Sequence, residues 1–274
     1  MAECTHNCST CSQKCGQASK ESLLATPNPG SRIKKIIGVV SGKGGVGKSS
    51  VTMMLSVAMR RRGHTVGILD ADATGPSIPK AFGLHTGTIV GDDNGMIPAE
   101  TASGIRVMSV NLLVEEEEKP VVWRGPVIAG VITQFYTDVA WGDVDYLFID
   151  MPPGTGDVPL TVFQSLPIDG IVIVTSPQEL VSMIVQKSMT MANMMEIPVV
   201  GLVENFSYFV CPDCGKEHHI FGTSRIEDVA AKNGTQLLAR LPFNPEVAAL
   251  CDKGNAEMLN TDALDHACAL IEAR

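Results

Sequence analysis

No apolar stretch follows the initiator methionine, and nowhere does the chain reach about eighteen uninterrupted apolar residues. Neither a secretory leader nor a membrane-spanning helix is therefore expected, and the chain reads as cytoplasmic with no membrane partner. Positive charge is scarce as well: 21 Lys and Arg against 30 Asp and Glu leave a formal net charge of −9. Such a surface repels phosphate backbones on average, so no nucleic-acid partner is expected. The dense basic cluster, Arg60-Arg61-Arg62, reads instead as the last turn of a helix ahead of Gly63. No internal repeat is visible, and the acidic run Glu115 to Glu118 reads as a solvated turn.

Apolar residues are also few in residues 1–31, which carry Cys4, Cys8, Cys11 and Cys15 and then Pro27-Asn28-Pro29-Gly30. That composition cannot build a core and reads as a flexible cysteine-rich arm with a linker, followed by one main domain over residues 32–274. Eight cysteines in a reducing compartment do not form structural disulfides. Their grouping at 4, 8, 11 and 15, and again at Cys211 and Cys214, points to ligation of a metal or cluster, whereas Cys251 and Cys268 stand alone as buried thiols.

In the domain, apolar runs at Ile36–Val40, Thr65–Leu69, Tyr146–Ile149, Gly170–Val174 and Val199–Val203 alternate with helical patterns at Ser49–Arg62 and Leu180–Met195. Short β-branched runs of this kind suit strands buried on both faces of a parallel sheet. The expected fold is therefore α/β, a mostly parallel twisted sheet with helices on both faces. Glycines and Asp92-Asp93-Asn94-Gly95 within residues 87–104 predict a hairpin insertion at the sheet edge.

Behind the first strand comes Gly42-Lys43-Gly44-Gly45-Val46-Gly47-Lys48-Ser49, with Ser50 next. A strand, a glycine-rich loop and a helix opening at Lys48 form the context that the Walker A pattern requires. The glycines let backbone N–H groups turn inward around phosphate, Lys48 reaches the β- and γ-phosphates, and the Ser49 hydroxyl suits Mg²⁺. Further carboxylates follow strands whose ends line the same edge: Asp70 and Asp72 in Asp70-Ala71-Asp72-Ala73-Thr74-Gly75-Pro76-Ser77, and Asp150 ahead of Met151-Pro152-Pro153-Gly154-Thr155-Gly156-Asp157. Asp150 has the place of a Walker B acid, and Asp70 or Asp72 can hold the Mg²⁺ water shell or orient a water for in-line attack on the γ-phosphate. Either aspartate could also cap a helix. Arg124 faces the same cleft or is structural.

Lys43 resembles the signature lysine of the deviant Walker A (SIMIBI) ATPases. That likeness implies a homodimer closed around two ATP molecules, with Lys43 crossing to the partner's nucleotide and Asp72 positioning the attacking water; Lys43, Lys48 and Asp72 are then the catalytic set. With Trp123-Arg124-Gly125-Pro126, Glu204-Asn205-Phe206-Ser207 and Cys211-Pro212-Asp213-Cys214-Gly215 added, the domain resembles the Mrp/Nbp35 family of P-loop iron–sulfur cluster carriers. The resemblance implies that Asn205 contacts the adenine, and that the Cys211/Cys214 pairs of two protomers share one [4Fe–4S] cluster, within a segment at 205–224, for transfer to apo-proteins. A single C-x-x-C supplies two of the four thiolates such a cluster takes, and two-fold symmetry supplies the rest.

Alternatives remain at this stage. His218 and His219 could complete a zinc site with Cys211 and Cys214 in a regulatory or positioning ATPase. The acidic, amphipathic end Asp262–Arg274 argues against a membrane-bound version of that reading. A nitrogenase-type ATP-dependent reductase is the third possibility. The arm's C-x3-C-x2-C-x3-C spacing offers a complete four-thiolate site for a second cluster, or a zinc clip.

Overall fold

The computed structural model describes residues 24–72, 77–114, 125–177 and 181–274. Its strands are β1 (Ser31–Val40), β2 (Val66–Asp70), β3 (Val90–Asp92), β4 (Gly95–Ile97), β5 (Ala99–Glu100), β6 (Arg106–Ser109), β7 (Gly142–Asp150), β8 (Gly170–Thr175), β9 (Val199–Glu204), β10 (Phe209–Val210), β11 (Glu217–His218) and β12 (Leu237–Arg240). The main sheet runs β12-β9-β8-β1-β7-β2-β6-β5 and is parallel except at its last strand, β5. Every run expected to be a strand is one.

The helices are α1 (Lys48–Arg61), α2 (Ser77–Ala81), α3 (Gly125–Thr137), α4 (Asp157–Ser165), α5 (Val181–Met194), α6 (Ile226–Lys232), α7 (Pro245–Asp252) and α8 (Asp265–Glu272). They cover both faces of the sheet, as β1 makes plain. Its Ile37 and Val39 join Val51, Leu55 and Met59 of α1 in one apolar cluster, while Ile36 and Val40 join Phe135, Trp141 and Phe163 in the other. Alternate side chains of a strand point to opposite faces, so a run apolar at every position serves both.

The basic cluster is structural, as its place before Gly63 implied. Arg61 donates to the carbonyl of Leu259 at 2.8 Å, and Arg62 pairs with Glu272 of α8 at 2.7 Å. Residues 87–104 contain the expected hairpin, but β3 and β4 form a two-stranded sheet of their own, and β5 takes the main-sheet edge. The last stretch of the expected linker is docked on the domain. Ala25 N–H donates to Ser165 O at 2.7 Å, and buried Asn28 accepts Gly30 N–H and donates to Asn94 O. Prolines that argue for a linker here shape a turn that the asparagine fastens.

Trp141 lies fully buried, and its Nε1–H donates to Phe135 O at 2.9 Å. Truncating it leaves both a cavity and an orphaned carbonyl. Trp141→Ala should lower the unfolding free energy by about 3–5 kcal/mol, read from urea denaturation.

Candidate functional site

β1 ends at Val40, and the chain passes through residues 41–47 into α1. Gly47 is the N-cap of α1 with φ 76°, and no side chain caps the helix, so its first N–H groups are left to an anion. Gly47 is also required sterically, because a Cβ there would collide with the Asn205 amide.

Beneath the loop, strand register sets three polar residues in one row: Ser109 opposite Asp70, and Asp70 opposite Asp150. Asp150 is fully buried. Its Oδ2 takes Lys48 Nζ at 2.7 Å and Ser49 Oγ at 2.6 Å, and its Oδ1 accepts from Thr52 Oγ1 at 2.7 Å. Lys48 Nζ also lies 3.8 Å from Asp72 Oδ2. Asp70 accepts from Ser109 Oγ at 2.8 Å and from Asp72 N–H at 3.1 Å. Burial raises the Asp70 pKa well above the carboxylate range, the Asp150 charge adds to this, and Ser109 and Lys48 oppose it. A hydroxyl and carboxylates grouped here are hard oxygen donors of the kind Mg²⁺ takes, beside a helix N-terminus and an ammonium suited to phosphate.

Next to the loop lies a cavity of about 310 Å³ whose lining includes Ser50, Met54, Asn205, Tyr208, Pro242 and Asn244. Asn205 follows β9 and donates from Nδ2 to Val46 O at 3.0 Å, tying this cavity to the loop. Its size and mixed lining suit a planar heterocycle.

Beyond Asn205 the chain rises into the β10–β11 hairpin, whose tip carries Cys211 and Cys214. Cys211 N–H donates to Lys216 O and Gly215 N–H to Cys211 O, both at 2.9 Å, closing a tight knuckle. The backbone N–H groups of Cys214 and Asp213, then the Cys214 thiol, lower the Cys211 pKa, which favours the thiolate that binds metal. Among the described residues, no third His, Cys, Asp or Glu joins this pair in a metal-sized group.

The family model described as ParA: NUBPL iron-transfer P-loop NTPase matches residues 32–272. The chain belongs to this family. It is 45% identical over 260 residues to the iron–sulfur cluster carrier protein of Methanocaldococcus jannaschii, covering 93% of this chain and 90% of that one. It is 44% identical over 266 residues to the iron–sulfur cluster carrier protein of Clostridium perfringens, covering 92% and 93%. Among solved structures it resembles the nucleotide-binding protein of Archaeoglobus fulgidus in complex with ADP, at 44% identity and a TM-score of 0.77 over 85% of this chain and 91% of that one. The cell division ATPase MinD of Pyrococcus furiosus matches with a TM-score of 0.63 and 20% identity over 87% and 98%, a likeness of fold alone.

Of the residues singled out by sequence, Gly42 to Ser50, Asp70, Asp72, Asp150 and Asn205 gather at one edge of the sheet, and Cys211 and Cys214 stand on the adjoining hairpin. Cys4, Cys8, Cys11, Cys15 and Arg124 lie outside the described residues, as does the loop 73–76. Thr52, Ser109, Tyr208, Pro242 and Asn244 escaped the sequence reading. Thr52 had a signal, since it lies one helical turn after Lys48 on the same face.

The environments of the cysteines differ in a measurable way. Burial, then the charge of Asp252, raises the Cys251 pKa, whereas that of Cys211 is lowered. Cys211 should become alkylatable at lower pH than Cys251, because its thiolate forms first. Iodoacetamide labelling across pH, read peptide by peptide, checks the order.

Proposed function

We propose that this protein is an ATP-binding, ATP-hydrolysing carrier that holds an iron–sulfur cluster on Cys211 and Cys214 and hands it to apo-proteins. The observation that carries the reading is that the cysteine knuckle springs directly from the strand end that touches the phosphate loop, in a chain of the iron-transfer family. The names of its relatives and the ADP held by the Archaeoglobus protein support both halves of it.

In this reading residues 42–50 cradle the phosphates, Lys48 meets the β- and γ-phosphates, and the cavity beside Asn205 takes the adenine. Ser49, Asp150 and Asp70 hold Mg²⁺, which when bound offsets charge on the phosphate oxygens. Asp72, at the open side of Lys48, orients the attacking water. Lys43 reaches across a two-fold axis to a second protomer's nucleotide, so the working unit is a homodimer. The same axis joins two knuckles into four thiolates for a [4Fe–4S] cargo. A chain of this composition, with no described helix long and apolar enough to cross a membrane, fits a cytoplasmic carrier. The cysteines of residues 1–31 would serve a second cluster site or relay.

For the nucleotide half, Lys48→Ala should weaken ATP binding by about tenfold to a hundredfold, the range for hydrogen bonds to a charged group. Its melting temperature should fall too, since Asp150 loses its buried cation. Lys43→Ala should keep affinity and lose hydrolysis; calorimetry and phosphate release measure the pair, and unchanged hydrolysis would remove the ground for a closed dimer.

For the cluster half, anaerobic reconstitution with iron and sulfide should give a chromophore, acid-labile sulfide and transfer to an apo-acceptor. Cys211→Ser should abolish the shared cluster. Stoichiometric zinc without labile sulfide would sink the carrier reading in favour of a zinc-stabilised ATPase.

A further inference from the structure

One buried carboxylate stands between the nucleotide edge and the cysteine hairpin and belongs to neither. Glu204 closes β9 and is 1% exposed. Its Oε2 accepts from Ser207 Oγ at 2.6 Å and its Oε1 from Ser224 Oγ at 2.7 Å, with Arg240 Nε 3.8 Å from Oε2. Ser207 and Ser224 are the two feet of the hairpin. None of residues 208–223 between them is buried, so packing does little to orient that segment and the anchoring falls on its feet.

The other side of Glu204 leads to the phosphate loop. Asn205, its neighbour in the chain, donates to Val46 O and presses on Gly47. Phe206 follows with φ 58°, a backbone state that a bulky residue keeps only where its surroundings over-determine it. Here those surroundings are the Asn205 N–H bonded to Thr175 O, the Ser207 N–H bonded to Leu241 O, and the Ser207 hydroxyl on Glu204. A shift of the loop at Val46 and Gly47 is therefore passed to a turn that cannot absorb it freely, and from there to both feet at once. Hydrogen bonds to a buried carboxylate are strong and directional. A well-packed apolar residue would stabilise this spot as well as a buried acid does but would not fix the two serines.

We propose that Glu204 is a positioning residue that couples the nucleotide state of the phosphate loop to the orientation of the Cys211/Cys214 hairpin. The proposal rests on the reading of residues 42–50 as a nucleotide site, and not on which metal the cysteines hold.

The test uses full-length, metal-free protein, with iodoacetamide as probe and peptide mass spectrometry following Cys211 and Cys214, with and without ADP or a non-hydrolysable ATP analogue. In the wild type, nucleotide should change their labelling rate by about fivefold or more, the lower end of ordinary coupling between sites. Glu204→Ala and Ser224→Ala should bring that factor close to one, while Ser224→Ala still binds nucleotide like the wild type by calorimetry. Glu204→Gln, able to accept from one serine and donate to the other, should restore most of the response. A wild-type labelling rate indifferent to bound nucleotide overturns the proposal, and so does a full response in Ser224→Ala. If calorimetry finds no nucleotide binding in the wild type, the nucleotide reading falls and takes this one with it. Failure to reconstitute a cluster counts against the carrier reading alone, since the labelling needs no metal.

Discussion

The carboxylate of Asp150, sealed from water at the end of β7, is the constraint around which this edge of the molecule is built. A buried charge is tolerable only when opposite charge and hydrogen bonds surround it, and removing one partner from such an arrangement costs about 3–5 kcal/mol. Lys48, Ser49 and Thr52 provide the surroundings, all from the first turn and a half of α1. That requirement fixes where α1 begins relative to β7. Since β7 pairs with β1 as far as Val39 opposite Asp150, it also fixes the short span that residues 41–47 must bridge.

The groups that neutralise Asp150 are the ones a nucleotide would recruit. The Lys48 ammonium that faces this carboxylate would turn to phosphate oxygens, and the Ser49 hydroxyl to a divalent cation, once that cation shared the carboxylate's charge. Binding of this kind would exchange one set of ionic partners for another instead of creating a site from nothing, and would keep the ammonium oriented throughout. Asp70 takes part in this balance. Its depressed tendency to ionise comes from burial and from the neighbouring Asp150 charge, and added positive charge between the two would relieve both effects.

Much of this edge was legible because it is local. The glycine pattern, Lys48 and Ser49 sit in one continuous segment, and Asp70 and Asp150 each terminate an apolar strand. Apart from Thr52 and Tyr208, which lie close to Lys48 and Asn205 in the chain, what escaped depends on register or on distant chain. Ser109 matters only because β6 pairs with β2, and β6 itself is obscured by Arg106 and Ser109 in a four-residue run. β12 is equally short and closes on Arg240. Pro242 and Asn244 reach the cavity because β12 lies beside β9, a neighbour relation no spacing encodes. Glu204 is the plainest case: one acid at the end of an apolar strand looks like a solvated terminus, and its burial follows from serines 3 and 20 residues away in sequence.

Sheet order explains why these pieces meet. Parallel strands send all their C-terminal ends to one edge, so loops far apart in sequence arrive together on either side of β1. The phosphate loop follows β1, the carboxylates follow β2 and β7, and Asn205 with the hairpin follows β9, two strands away from β1 in the sheet. The cysteines thus stand at the end of an element whose base contacts the nucleotide loop, on a hairpin with no buried residue to hold it still. A cargo site needs ligands that are ready as thiolates and open to an acceptor, and Cys211 with its lowered pKa and Cys214 with its exposure meet both needs. Cys268, fully buried with its pKa pushed up to about 12, meets neither. The fold therefore separates a thiol that packs from thiols that stay accessible, and it roots the second kind beyond the strand whose end touches the phosphate loop.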